Sequence, residues 1–202
     1  MNDGPSVARG PGVKGGRVVN DFVNLMDLAP TFLEVGGVKP PEVMTGRSFL
    51  KVLRADKSGQ VEPQRNWVVA GRERHVAAAR SGEAPYPQRS LRTPDYLYIV
   101  NFKPERWPMG DPINLEGGKT PDHEGLVEDT MVTFKDMDSG PTKAWLVERR
   151  ADPQWKRYYD LAFAPRPREE LYVLAKDPDQ IHNVAADPKF AATRKKLEAQ
   201  LM

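Results

Sequence analysis

The chain has 202 residues, enough for one sizeable core or for a small domain plus a piece of another. Charged residues make up 29% and hydrophobic residues 39%, with 19 Pro and 16 Gly, which describes a soluble, loop-rich protein and excludes a fibrous or disordered one. The net charge of +2 gives no case for a nucleic-acid partner, the absence of Cys excludes disulfides, thiolate metal sites and a cysteine nucleophile, and no apolar run approaches the roughly 20 residues that span a bilayer.

Residues 1–16 are rich in Gly and Pro and read as a flexible lead-in with no signal-peptide pattern. The β-branched run 17–23 predicts an edge strand or an extended lead. In NLMDLAPTFLEVGGV, Asp27 is placed to cap a helix with Pro30 at its third position, where no N–H is needed. Asn24 is the alternative cap, which sets Pro30 deeper and bends the helix. Leu28, Phe32 and Val35 then share one face, and Gly36-Gly37 supplies the stop. A Pro-driven loop follows, with a helical turn opened by Thr45 or Ser48.

Residues 66–70 (NWVVA) predict a strand. Residues 90–92 and 96–102, separated by Thr93-Pro94-Asp95, predict a hairpin. Alternation puts Tyr96, Tyr98 and Val100 on one side of its second strand, with Leu97, Ile99 and Asn101 on the other. Residues 103–125 read as a long irregular loop, and 128–134 fit helix and strand equally. Helical spacing returns over 142–148 and 152–161. ELYVL at 170–174 predicts a strand, and 176–185 a turn followed by a short helical turn. The clearest element is the last, where Asp187 caps a helix with Pro188 at its first position and Phe190, Leu197 and Leu201 at helical spacing.

Chemistry concentrates between Arg72 and Pro112. His75 stands among Arg72, Arg74 and Arg80, and guanidinium groups bind sulfate, phosphate or carboxylate oxygens bidentately. The competing account is a solvated basic loop. Arg89 in Tyr-Pro-x-Arg is aimed by a rigid turn, or else sits in a surface salt bridge. Trp107 walls a cleft or plugs a sheet face. Asp122-His123-Glu124 lacks the i, i+4 spacing of a zinc site, and His182 reads as structural. There is no Ser-His-Asp signature, P-loop or GxGxxG after a strand.

Three stretches together resemble the C-terminal part of a sulfatase of the alkaline-phosphatase-like superfamily. The first is Asp27-Leu28-Ala29-Pro30-Thr31 with Leu33 and Gly37, followed by Gly46, Ser48, Phe49 (where the family has Leu) and Leu53. The second runs from Arg72 to Pro112 and is similar to the N-sulfoglucosamine sulfohydrolase (heparan N-sulfatase) branch. The third is ELYVLAKDPDQIHNVAADPKF, in which Val173, Gln180 and Val184 depart from the usual Asp, Glu and Leu.

The resemblance implies an α+β chain. In it, residues 17–60 are a remnant of the large α/β domain with its linker. Residues 61–202 form a small antiparallel sheet of about four strands packed on a C-terminal helix. It implies hydrolysis of sulfate esters or sulfamates on sulfated sugars, by a formylglycine nucleophile with calcium as Lewis acid. Neither the Cys/Ser-x-Pro/Ala-x-Arg motif nor the Asp and Asn calcium ligands of such enzymes have counterparts here, so no catalytic or metal residue and no bound calcium is expected in this chain. It reads as a sulfatase shortened upstream and inactive alone. His75, Arg74 and Arg89 are the implied substrate-binding residues. A sulfated saccharide is the implied partner, with no nucleic acid or membrane, and a large sulfatase domain is a further partner. The rival readings are a non-catalytic sulfated-glycan-binding module and a non-functional remnant. The family works outside the cytoplasm, in periplasm, lysosome or secretions.

Overall fold

The computed structural model describes residues 6–202. The lead-in expected over 1–16 therefore lies partly outside the described residues. The chain divides into two compact units, one of residues up to 69 with 92–94, and one of residues 70–91 with 95–202.

In the first unit Asn24 accepts the backbone N–H of Met26, and with Asp27 it forms a reciprocal cap on the single 3-10 turn Leu25–Asp27. Helix α1 (Leu28–Val35) follows without a break, with Pro30 at its third position as expected. Asp27 stands at its N-cap but makes no capping bond to the helix. The buried side of α1 is Pro30 and Thr31, while Phe32 is 66% and Val35 59% exposed. The apolar face shared by Leu28, Phe32 and Val35 is thus left largely uncovered, because the following segment is recruited by hydrogen bonds rather than by apolar contact.

The Asp27 carboxylate accepts from the backbone N–H groups of Arg47 (2.8 Å) and Asn24 (3.2 Å) and pairs with Arg65 at 2.9 Å. Arg65 also donates to the carbonyls of Arg47 and Ser48 and to Glu62. The Thr31 hydroxyl donates to the Asp27 carbonyl and accepts from Phe49 N–H at 3.1 Å. Gly46 lies so close that a Cβ there would stand 2.1 Å from the Met26 carbonyl oxygen. Helix α2 (Leu50–Arg54) starts just beyond, with the Ser48 hydroxyl accepting Leu50 N–H. The run 17–23 is not a strand. It makes one parallel bridge, Val19 to Gly59, and is held by Arg17 on the Leu53 carbonyl and by the Asp21 carboxylate on the N–H groups of Val61 and Glu62.

A four-stranded antiparallel sheet has the order β1 (Val68–Arg72), β2 (Gln88–Arg92), β3 (Tyr96–Asn101), β4 (Glu169–Val173). β1 lies two residues later than the sequence suggests, so it ends inside the basic loop. β3 and β4 pair with Tyr98 opposite Leu171 and Ile99 opposite Glu170. Both faces of β3 are covered, since Leu97, Tyr98, Val100 and Asn101 are all buried.

On one face the final helix α6 (Ala191–Leu201), entered through the 3-10 turn Pro188–Phe190 that Asp187 caps, buries Leu197 and packs against β3. Glu169 ties the layers by accepting from the Tyr98 hydroxyl (2.6 Å) and from Arg194 (2.7 Å). On the other face Asn101 donates to buried Glu170, which also accepts from the Tyr172 hydroxyl.

Helices α3 (His123–Glu128), α4 (Pro141–Glu148) and α5 (Lys156–Phe163) surround a second core of Leu126, Phe134, Ala144, Val147 and Phe163. Phe134 and Phe163 stack with ring centroids 4.2 Å apart. Residues 129–134 are turns, neither helix nor strand, and the Lys143 ammonium holds them by donating to the Thr130 and Met137 carbonyls. Residues 181–184 form no helical turn, and Gln180 before them takes the left-handed φ of +53°. There Asn183 accepts Leu171 N–H at 2.9 Å and donates to the Glu169 carbonyl, so the segment lies along β4 instead of coiling.

Candidate functional site

The basic loop divides into an inner and an outer set, all within the second unit. Arg80 is inner. It is buried, donates through Nε to the Trp107 carbonyl and through Nη2 to the Pro108 carbonyl and the Asp136 carboxylate, each at 2.8 Å. Arg72 also donates to the Pro108 carbonyl at 2.8 Å, and both guanidinium groups lie over the Tyr86 ring at 5.4–5.6 Å. Asp136 further accepts Val76 N–H at 2.9 Å. Gly110 takes φ +96°, and a Cβ there would meet Lys135 N at 2.9 Å and the Ala79 carbonyl at 3.0 Å. The segments around 76–81, 107–111 and 134–136 are thus locked together by buried polar bonds.

The outer set is the one named from sequence. His75 is 65% exposed at its side chain, with Nδ1 3.6 Å from an oxygen of buried Asp136. Arg74 donates to the Glu83 carbonyl at 2.9 Å and lies 3.6 Å from its carboxylate. Arg89 is ion-paired with Glu73 and donates to the Gln88 carbonyl, and Gly71 leaves room for its side chain. The positive charges of Arg74 and Arg89 are each partnered by a glutamate at solvent-exposed positions, where such pairs are worth about 0–1 kcal/mol and exchange readily for a stronger anion. The structure therefore brings His75 and Arg74 to one loop, with Arg89 connected through Glu73.

Other candidates resolve differently. The Trp107 ring packs 5.8 Å from Phe134, against the second core. His123 begins α3 and pairs with Glu148 at 2.7 Å. His182 lies in a turn closed by Asp177, which accepts the backbone N–H groups of Ile181 and His182. Burial alone would raise the Asp177 carboxyl, but those bonds outweigh it and hold it below the usual carboxylate range. Asp136 is the residue that sequence reasoning missed, since it lies just past a stretch of undecided structure and carries no motif.

Among the described residues no three His, Cys, Asp or Glu side chains are grouped to hold a metal ion. Among them, too, no helix is long and apolar enough to cross a membrane.

Residues 4–69 match the family described as N-sulphoglucosamine sulphohydrolase, C-terminal. An ulvan-active sulfatase of Formosa agariphila is 29% identical over 96% of this chain and 31% of its own. The N-sulphoglucosamine sulphohydrolase of Homo sapiens is 29% identical over 92% of this chain and 32% of its own. A solved 2-O GAG sulfatase superposes with a TM-score of 0.51 at 20% identity, covering 95% of this chain and 27% of that one, which supports the fold. The chain spans about a third of the length of the curated relatives it matches.

Proposed function

We propose that this chain, similar to the C-terminal portion of sulfatases, is a member of that family and supplies the sugar-facing part of a hydrolase acting on sulfate esters or sulfamates of sulfated saccharides. The observation that supports this reading is the exposed His75 beside Arg74, on a loop whose base is fixed by the buried Arg80–Asp136 pair. A rigid base with a polar, cationic rim suits a sulfated ligand, because little order has to be created when the anion binds. His75, Arg74 and Arg89 are the substrate-binding residues in this reading, with residues 17–60 as a remnant of the large domain. Salt-sensitive binding of heparin oligosaccharides is expected, and His75→Ala with Arg74→Ala should weaken it about tenfold or more, from loss of at least one charge-assisted hydrogen bond. Wild-type protein that shows no binding at low ionic strength overturns it.

The chain by itself does not hydrolyse its ligand in this reading. Measured turnover of an aryl sulfate or of N-sulfoglucosamine with calcium present would sink that part alone. Catalysis then requires a large sulfatase domain. The exposed Leu25, Phe32, Val35 and Val38 of the first unit supply apolar surface for one. The setting is outside the cytoplasm, where sulfated glycans are met.

A further inference from the structure

The glycan reading uses His75 as a contact but gives no role to the buried carboxylate behind it. We propose that Asp136 is a positioning residue for His75, holding a proton on Nδ1 and so turning Nε2 outward as the nitrogen that meets the ligand.

The geometry begins with burial. The Asp136 side chain is 1% exposed, and its two oxygens are divided between different tasks. Oδ2 is paired with Arg80 Nη2 at 2.8 Å, an ion pair in which both partners are buried. Oδ1 accepts Val76 N–H at 2.9 Å and lies 3.6 Å from His75 Nδ1. A carboxylate oxygen offers more than one lone pair, so Oδ1 has capacity for a second N–H after Val76. At 3.6 Å the imidazole is in ion-pair range but beyond hydrogen-bond distance, and the proposed contact forms when the ring closes that gap. Arg80 fixes the carboxylate, and Val76, the next residue along, fixes the backbone that carries His75. Asp136 therefore sets both where His75 stands and which face of its ring is spoken for.

The chemical consequence follows from the tautomer. An acceptor at Nδ1 favours the Nδ1–H form of the neutral ring, which leaves Nε2 as an acceptor for a sugar hydroxyl. When the ring takes a second proton, Nε2–H donates to a sulfate oxygen while Nδ1–H stays on Asp136, so the imidazolium lies between two anions. Asp136 thus lets one side chain serve both the hydroxyl and the sulfate of a sulfated sugar. The ligand assignment rests on the reading above, whereas the tautomer does not.

Two measurements separate them. Nitrogen-15 NMR of the whole chain is expected to show neutral His75 as the Nδ1–H tautomer in the wild type, moving toward Nε2–H in Asp136→Asn. A wild-type ring in the Nε2–H form overturns the positioning role without requiring any variant to fold. Heparin-oligosaccharide affinity is expected to fall about five- to tenfold in Asp136→Asn, with its thermal melt still cooperative, and not to fall further when His75→Ala is added. Additive losses in the double variant overturn the claim that Asp136 acts through His75. A Nδ1–H ring together with unchanged heparin affinity in His75→Ala leaves the positioning role standing and sinks the glycan reading.

Discussion

Tyr86 shows how one side chain can be placed by its surroundings without serving them. It is buried under two guanidinium groups, and its hydroxyl has no hydrogen-bond partner. Burial, with a contribution from Glu170, pushes its phenol up to about 12 against the opposing pull of Arg166, Arg72 and Arg80. A raised phenol pKa means that the native state keeps the proton longer than the unfolded chain. The associated stability is complete below the ordinary tyrosine value and is lost as pH rises from about 10 to about 12. Tyr98 and Tyr172 are shifted the same way, first by burial and then by their hydrogen bonds to Glu169 and Glu170.

Tyr86→Phe removes an unsatisfied buried hydroxyl, so its unfolding free energy at neutral pH should equal that of the wild type or exceed it by up to about 1 kcal/mol. Its alkaline loss of stability, followed by circular dichroism, should be smaller but not absent. At this scale the sequence was only partly readable. The cationic cluster announced itself, but Arg72 and Arg80 look like Arg74 on paper. Only long-range bonds to Pro108 and Asp136 separate buried Arg80 and half-buried Arg72 from exposed Arg74.

At the scale of elements, the motifs that relate this chain to sulfatases are mostly architectural. Asp27, Thr31, Gly46 and Ser48 join α1 to the segment before α2, and Arg65 closes the join. Arg65→Met leaves the Asp27 carboxylate buried and unpaired, which should cost about 3–5 kcal/mol in urea unfolding of the first unit. Gly46→Ala should damage the same unit, because its methyl would collide with backbone rather than with a side chain that can move. In the third motif Asp177 and Asn183 close a turn and lay the following segment along β4. Since the Asp177 carboxyl is lowered, its contribution is present above the ordinary carboxylate value of about 4 and is lost as pH falls through its native value.

The caps at Asn24 and Asp187 and the hairpin were legible because they depend on neighbours in sequence. The exposure of Phe32 and Val35 was not legible, because periodicity reports that a face is apolar and not whether this chain covers it. The run 17–23 has strand composition but bonds through Asp21 and Arg17, a choice made by partners some 35 to 41 residues away.

At the scale of the molecule, the two units carry different kinds of surface. The first exposes Leu25, Met26, Phe32, Val35, Val38, Val43 and Met44, whereas the second, apart from Met131, Tyr158, Ile181 and Met202, covers its large residues in the sheet layers and the aromatic cluster. Hydrogen exchange should accordingly show slow amides in β3, β4 and α5, and faster exchange over α1 and α2. Uniform protection across both units would contradict this. The pairing of β3 with β4 has a consequence for how the chain is made. Partners such as Val100 and Glu169 are roughly 70 residues apart, with the second core formed wholly from the chain between them. That core has its residues in hand before β4 is synthesised, so it can assemble on the ribosome. The sheet, whose β4 and covering α6 come later in the chain, closes only once residues 169–201 have been made.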